Sequence, residues 1–506
     1  MGAFWGVPTN TEDTRVVTTI MADGNGDVSS AFERMSLDPK HIGANFNEWV
    51  KPVANFDGCD QGWIKSLKES ELIGDIDFGS KPWARSREAV DYVMKELQNA
   101  MRAEAAKYER LRIESYIRQG SSRDALKVIW PNEYDSVIQF QIEGLKLVPK
   151  PVTKSSVVIP GFCFFEIDDK WDNFEKTFPK LCQKSVFVKS NGKLFLSSKN
   201  LHEKILTLIV DAASVIVQKK IRDNKEVEFS ITRKKNPPAI NITIHLNEEA
   251  HNQFMVAGKL RKAEDGTGEI DLDIVPAMKL REDTTTTYQG TRLGCPIHAV
   301  CKWVEGDMNQ MLEFVSETEK TLVWHINSSG YEKHTLDVIR TTARGQYILT
   351  ALRIMKTYFV RAKTLAKDKK QSPPQLVTVL KSYHLKQIAL YEVMFTCHLR
   401  PTVALNNTYD ALLYFISLLE AALDAKHLPH FYYSNPLVTQ MYPGYEPPVG
   451  PKYDLFRKCP ADALLQAKKV LQNQLITALR LVRTENKDMT KLVNEFKDKI
   501  LSGKYF

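Results

Sequence analysis

Glu133 and Asp135 are carboxylates one residue apart, in the run Pro131-Asn132-Glu133-Tyr134-Asp135. The Pro131-Asn132 turn signal precedes them, and Tyr134, Val137, Ile138, Phe140 and Ile142 mark a predicted strand. Alternate residues of a strand share a face, so both carboxylates project to one side. Two carboxylates on one face repel unless a cation lies between them, and hard oxygen donors suit Mg²⁺ or Mn²⁺. Two such ions, about 3.5–4 Å apart, can hold an attacking hydroxyl and a triphosphate for in-line transfer. That chemistry takes a third carboxylate. Asp273, in the predicted strand Ile270-Asp271-Leu272-Asp273-Ile274, is the candidate. Upstream, Gly120-Ser121 offers a backbone that can approach phosphate and a hydroxyl that can donate to it. An isolated E-x-D pair is ordinarily a solvated strand face. The spaced Gly-Ser before this pair, and the strand aspartate after it, lift it above that background.

These residues need elements to position them. Ala89, Val90, Val93, Leu97, Met101 and Ala105 recur at helical spacing, which predicts a helix over 86–118, ended by Gln119-Gly120-Ser121-Ser122. Strands are expected over 125–130, 227–232, 240–246 and 270–275, with a basic turn, Arg233-Lys234-Lys235-Asn236-Pro237-Pro238, between two of them. A helix is expected over 200–222. Beyond 291 helical patterning dominates: 335–366, 375–397, 407–425, and a last amphipathic helix carrying Leu464, Leu471, Leu475, Leu479 and Val482. Residues up to about 79 are rich in Asp, Asn and Gly and read as a loosely structured extension, whose Phe46, Trp49 and Trp63 could pack on the body. The outline is a mixed α/β lobe followed by a helical lobe.

The totals suit such a molecule. The chain has 506 residues, 43% hydrophobic and 26% charged, and a net charge of +8 that permits a nucleic-acid partner without demanding one. Seven cysteines (Cys59, Cys163, Cys182, Cys295, Cys301, Cys397, Cys459) contain no C-x-x-C, which argues against a disulfide framework or a ribbon-type zinc site. The start lacks a basic and apolar leader pattern, Gly6 breaks the myristoylation motif, and the run 205–217 is too short for a membrane span. A cytoplasmic protein is expected.

Gly120-Ser121 followed by Pro131-Asn132-Glu133-Tyr134-Asp135 resembles the signature of cyclic GMP-AMP synthase and the cGAS-like receptors, where a G-S motif precedes P-N-E-[FY]-D. Similar blocks follow at 233–240, 270–277, 324–333, 352–356, Ser382-Tyr383-His384 and 428–431, so the resemblance spans roughly 85–433. It implies an α+β fold: a bilobal nucleotidyltransferase with a mixed sheet and a long spine helix, then a helical C-terminal lobe. The expected division is an extension over 1–80, a core over 81–290 and a helical lobe over 291–506. It implies ATP and GTP, or other nucleoside triphosphates, joined in two steps into a cyclic dinucleotide that serves as a second messenger in antiviral innate immunity. By position, Glu133, Asp135 and Asp273 would bind Mg²⁺ or Mn²⁺ and carry catalysis. Gly120, Ser121 and Glu133 would meet the nucleotide, Lys356 would neutralise triphosphate charge, Ser382 would bond a phosphate oxygen, and Tyr383 would stack on a base.

The zinc-binding insertion of cyclic GMP-AMP synthase has no counterpart, since only His325 and His334 fall in that interval. No structural zinc is expected, as in cGAS-like receptors, and double-stranded RNA is favoured over DNA as activator. Lys95, Arg102, Lys107, Arg110, Arg340, Arg344 and Arg353 form the candidate duplex-binding set, and a ligand-induced dimer is compatible with it. His325, Asn327 and Ser122-Arg123-Asp124 depart from the family pattern, which leaves the two bases, the linkage and the loop after Gly120-Ser121 open. A non-catalytic scaffold of the same fold and a polymerase-like enzyme extending RNA ends are the rival readings.

Overall fold

The computed structural model describes residues 48–154, 157–168, 171–236, 239–247, 268–282, 296–301, 303, 312, 314–433, 435–442, 453–482 and 486–502. Phe46 and Cys295 lie outside them. Within them, eleven strands form one mixed sheet: β1 (Leu111–Gln119), β2 (Glu133–Ile142), β3 (Leu147–Lys154), β4 (Val157–Ile167), β5 (Phe187–Ser190), β6 (Lys193–Leu196), β7 (Phe229–Asn236), β8 (Ala239–Leu246), β9 (Glu269–Glu282), β10 (Pro296–Val300) and β11 (Trp324–Asn327). The main path runs β1-β2-β9-β10-β11-β4-β6-β5, with β8 also on β9, β7 on β8 and β3 on β4. Only β2 and β9 pair in parallel; the remaining ladders are antiparallel.

Ten helices position the site and its surroundings: α1 (Gln61–Glu69), α2 (Ser80–Ala105), α3 (Gly120–Arg123), α4 (Thr207–Asp223), α5 (Ser329–Ile339), α6 (Ala343–Asp368), α7 (Ser382–Val393), α8 (Thr408–Ala425), α9 (Ala461–Val470) and α10 (Lys487–Phe496). The apolar faces of α2 and α4 cover the sheet, burying Val90, Val93, Leu97 and Met101 with Tyr134, Ile242, Leu272 and Ile274 in a first core. A second core fills the helical lobe between α6, α7, α8 and α9. No helix among the described residues is long and apolar enough to cross a membrane, and the six described cysteines are unbridged.

Several boundaries differ from the sequence reading. The helix expected over 86–118 ends at Ala105; Arg110 turns the chain with a φ of 51°, and Leu111, Ile113 and Ile117 point inward from β1. Residues 125–130 form no strand. Ala125 and Ile129 have positive φ, and the carbonyls of Leu126 and Lys127 are taken by Lys356 and Arg353 rather than by a ladder. The helix expected over 335–366 is two: Thr342 caps α6 through the Gly345 N–H (3.0 Å), and a Cβ on Gly345 would meet the Ile339 carbonyl at 2.0 Å. The run 375–397 breaks at the extended residues Leu380 and Lys381. Val482 lies beyond the last amphipathic helix, 67% exposed. The sheet also takes in β10 and β11, past the boundary expected at 290.

Residues 48–79, expected to be loose with Trp49 and Trp63 packing on the body, do bury both tryptophans but are anchored far more widely. They run through both cores: Trp49 and Phe78 lie in the first, while Cys59, Trp63, Ile64, Leu67, Ile73 and Ile76 lie in the second. Their aromatic anchors, spread over two hydrophobic surfaces, leave no single period for the eye to find.

Candidate functional site

Glu133 and Asp135 open β2, with Tyr134 between them turned fully into the core. Asp271 and Asp273 occupy matching places on β9, with Leu272 buried between them. The parallel register sets Glu133 beside Asp271 and Asp135 beside Asp273. Directly paired residues share a face, so four carboxylates stand in a two-by-two grid on the side away from α2 and α4. The third strand, β8, brings Thr243 beside Asp271 and Asn241 beside Asp273. The Thr243 hydroxyl donates to Asp271 Oδ1 at 2.8 Å, and the Asn241 amide donates to Asp273. Lys234 Nζ reaches Asp271 Oδ1 at 3.5 Å. Asn132, Glu133, Lys234, Asn241, Asp271 and Asp273 line a cleft of about 380 Å³.

Gly120 fits this grid for a steric reason. Its φ is +67°, and an added Cβ would lie 1.8 Å from Asp135 Oδ2. Glycine is thus the residue that lets the chain turn against that carboxylate. Ser121 follows in the short helix α3, partly exposed. The loop is then pinned by buried polar contacts. Ser122 Oγ donates to the Glu133 carbonyl at 2.8 Å. Arg123, fully buried, donates twice to Asp337 on α5, at 3.0 and 2.7 Å. Asp124 meets Lys386 of α7 at 2.6 Å, and Lys386 also meets Glu332 at 2.6 Å. Lys356 of α6 donates to the Leu126 carbonyl at 2.7 Å.

The charges respond to this crowding. Burial, then the charges of Glu133 and Asp273, push the Asp135 carboxyl up to about 7. Burial also raises Asp273, against the Asn241 hydrogen bond. Glu133 moves the other way, because the Lys127 ammonium sits 2.9 Å from its Oε2. Burial, then the Lys127 charge, brings Lys356 down to about 7. Asp124 and Glu332 raise Lys386 in spite of its burial.

A divalent cation fits this donor set in chemistry: three hard carboxylates share one face, and the half-buried acid at 135 is penalised by its anionic neighbours. The side chains are not drawn together around one point, however. Glu133 is engaged by Lys127 and Asp273 by Asn241, and no group of three His, Cys, Asp or Glu among the described residues is placed to hold a metal. Glu133, Asp271 and Asp273 each take another partner, which holds these repelling carboxylates apart.

Lys356, Ser382 and Tyr383, expected to meet the nucleotide, lie on the helical lobe. Ser382 is exposed in the first turn of α7. Tyr383 beside it is 39% exposed, and its hydroxyl bonds Glu332 Oε1 (3.1 Å) and His430 Nε2 (2.7 Å). Lys356 is buried beneath the 120–130 loop rather than open in the cleft.

The seven basic candidates do not behave as one set. Lys95, Arg102, Lys107 and Arg110 are exposed on or just after α2, although Arg102 also donates to the carbonyls of Ile113 and Glu114, and Lys107 pairs with Glu104. Arg340 pairs with Asp337, and Arg344 donates to the carbonyls of Pro401 and Val403. Arg353 is 1% exposed, bound to Asp77 (2.6 Å) and the Ile76 carbonyl (3.1 Å). It is a core ion pair and cannot meet a phosphate backbone from the surface.

Sequence reasoning passed over Lys386, Glu332 and the Arg123–Asp337 pair, whose partners are far apart in the chain, and also Lys127, only six residues from Glu133. It also set Asp271 aside, although the D-x-D alternation places it on the same face as Asp273. A profile of the Mab-21 protein nucleotidyltransferase domain matches residues 122–337, a span that includes β2, β9 and all four carboxylates. No curated protein matches the chain.

Proposed function

We propose that this chain, which carries a Mab-21 nucleotidyltransferase domain, is a metal-dependent nucleotidyltransferase that joins nucleoside triphosphates such as ATP and GTP into a cyclic dinucleotide. The observation that carries the reading is the register of β2 against β9, which sets Asp135 beside Asp273 with Gly120 packed on the same carboxylate. Glu133, Asp135 and Asp273 would hold Mg²⁺ or Mn²⁺, which when bound neutralises the triphosphate and polarises its phosphorus. In each of two steps a ribose hydroxyl oxygen attacks the α-phosphorus, the bond to pyrophosphate breaks, and the hydroxyl proton passes to a cleft carboxylate. Asp273, which stands beside Asp135 in the strand register, is the carboxylate proposed to accept it. Tyr383, its hydroxyl held by Glu332 and His430, offers a fixed ring for base stacking, a contact worth about 1–3 kcal/mol. Ser382, at the N-terminal turn of α7, donates to phosphate.

Double-stranded RNA is the proposed activator, met by Lys95 and Arg102 on the exposed side of α2 and by Lys107 and Arg110 just beyond its end. A-form duplexes are recognised by shape and phosphates, which needs basic residues and few base readers. Dimerisation on the ligand, a cytoplasmic location and a role in antiviral defence belong to the same reading. A second reading, a non-catalytic scaffold, is favoured by one observation: Lys127 already satisfies Glu133. Labelled ribonucleoside triphosphates with Mg²⁺ or Mn²⁺, incubated with duplex RNA, duplex DNA or neither, decide between them. A phosphatase-resistant small product lost in Glu133→Ala/Asp135→Ala supports the enzyme. Its absence in every lane supports the scaffold, and extended RNA would point to a polymerase.

A further inference from the structure

The 120–130 loop stores strain. Ala125 and Ile129 have φ of 58° and 64°, and the Trp130 N–H closes on the Val128 carbonyl at 2.7 Å, a γ-turn centred on a β-branched residue. Such backbone costs of order 1–3 kcal/mol per residue and persists only when its surroundings hold it. This turn places the Lys127 ammonium on Glu133.

Two of the restraints on the loop come from residues 48–79. The Val50 N–H donates to the Ser122 carbonyl at 3.1 Å. Arg353, whose Nε lies 3.4 Å from the Lys127 carbonyl, is itself fixed by Ile76 and Asp77. The same segment holds both lobes. Trp49 donates to Asp91 at 2.8 Å and packs edge-on against Tyr134, the residue between Glu133 and Asp135. Asn55 bonds Gln346 and Thr350 of α6, and Trp63 donates to the Leu479 carbonyl at 2.9 Å. Between these anchors Val53 is 73% exposed. The segment lies outside the matched span of 122–337.

We propose that residues 48–79 are a strap that holds the 120–130 loop closed with Lys127 on Glu133, and that releasing the strap frees Glu133 for a divalent cation. The cation half rests on the proposed metal-dependent function; the loop half does not. Once Trp49 and Val50 are detached, the Ser122 carbonyl loses its donor; once Asp77 is removed as well, the tie through Arg353 slackens. The γ-turn then relaxes, and the ammonium leaves the carboxylate.

The test inserts a protease site after Val53 in the full chain, so that cutting detaches Trp49 and Val50, and combines it with Asp77→Ala to loosen the Arg353 tie, because residues 54–79 stay joined to α2. Hydrogen–deuterium exchange is read in the 120–130 amides and, as reference, in β5 and β6. Mn²⁺ binding is read by electron paramagnetic resonance. Cutting is expected to raise loop exchange at least 10-fold with β5 and β6 unchanged, and to tighten Mn²⁺ binding about 5-fold. Trp49→Ala in the uncut chain is expected to move both readouts the same way. Loop exchange unchanged within 2-fold, or raised equally in β5 and β6, overturns the strap. Raised loop exchange with no Mn²⁺ bound before or after cutting upholds the strap and overturns the cation reading.

Discussion

Gly120→Ala places a Cβ where the structure has a carboxylate oxygen. The new atom would lie 1.8 Å from Asp135 Oδ2, 2.6 Å from its Cγ and 2.9 Å from its Cβ. Ordinary van der Waals contact begins near 3.4 Å, so Asp135 must retreat by about 1.6 Å. Retreat is obstructed, because Asp135 stands on a central strand between β1 and β9. The left-handed φ of +67° adds about 1–2 kcal/mol for any L side chain. Overpacking adds about 1–3 kcal/mol. The expected loss of stability is therefore about 2–5 kcal/mol, and a displacement above ~1 Å at a reacting group costs on the order of 100-fold in rate. Gly192→Ala is the control: its φ is +73°, with nothing within 4 Å of the added Cβ. It should lose only the backbone cost, about 1–2 kcal/mol, and keep its activity. Urea denaturation and nucleotide turnover are measured for both. If Gly120→Ala matches Gly192→Ala in both, the packing of Gly120 on Asp135 is not what the site depends on.

Arg123→Ala leaves Asp337 with Arg340 alone and is expected to cost about 1.5–3 kcal/mol in urea denaturation; a loss under about 0.5 kcal/mol would contradict the pairing. Glu392 is fully buried with no hydrogen-bond partner for either carboxylate oxygen, and burial raises its pKa well above the usual range. Its folded value lies above the unfolded ~4.3, so its contribution is present below that pH and is lost as pH rises toward the folded value. Glu392→Gln should therefore gain stability relative to the parent between pH 5 and pH 9; a pH-independent difference in unfolding free energy would refute this. Lys356→Met leaves the Leu126 carbonyl beneath the loop without its donor and should cost about 1–3 kcal/mol in urea denaturation, with KM for triphosphate changed less than 3-fold. A KM raised 10-fold at unchanged stability would contradict its burial under the loop.

Much of the carboxylate grid was legible because strand alternation is a two-residue rule: E-x-D on β2 and D-x-D on β9 each declare a shared face. Their mutual register was not, since nothing local specifies which residue of β9 meets Asp135. The α+β outline and the helices α4 and α8 were readable from apolar period. The β1 strand was not, because Leu111, Ile113 and Ile117 continue the apolar count of α2 and the reversal rests on one positive φ at Arg110. Short strands such as β3 and β5 carry Lys and Pro on exposed faces and give little alternation. The 120–130 loop was least legible. Val128, Ile129 and Trp130 look like a strand, and what bends them is a set of contacts to Lys356, Arg353 and Val50 distant in the chain.

The most direct test of the central claim is a Mn²⁺ anomalous difference map from crystals grown with a non-hydrolysable triphosphate. A peak is expected about 2.0–2.3 Å from oxygens of Glu133, Asp135 and Asp273, with Lys127 moved off Glu133. No peak at saturating Mn²⁺, with Lys127 still on Glu133, would contradict it.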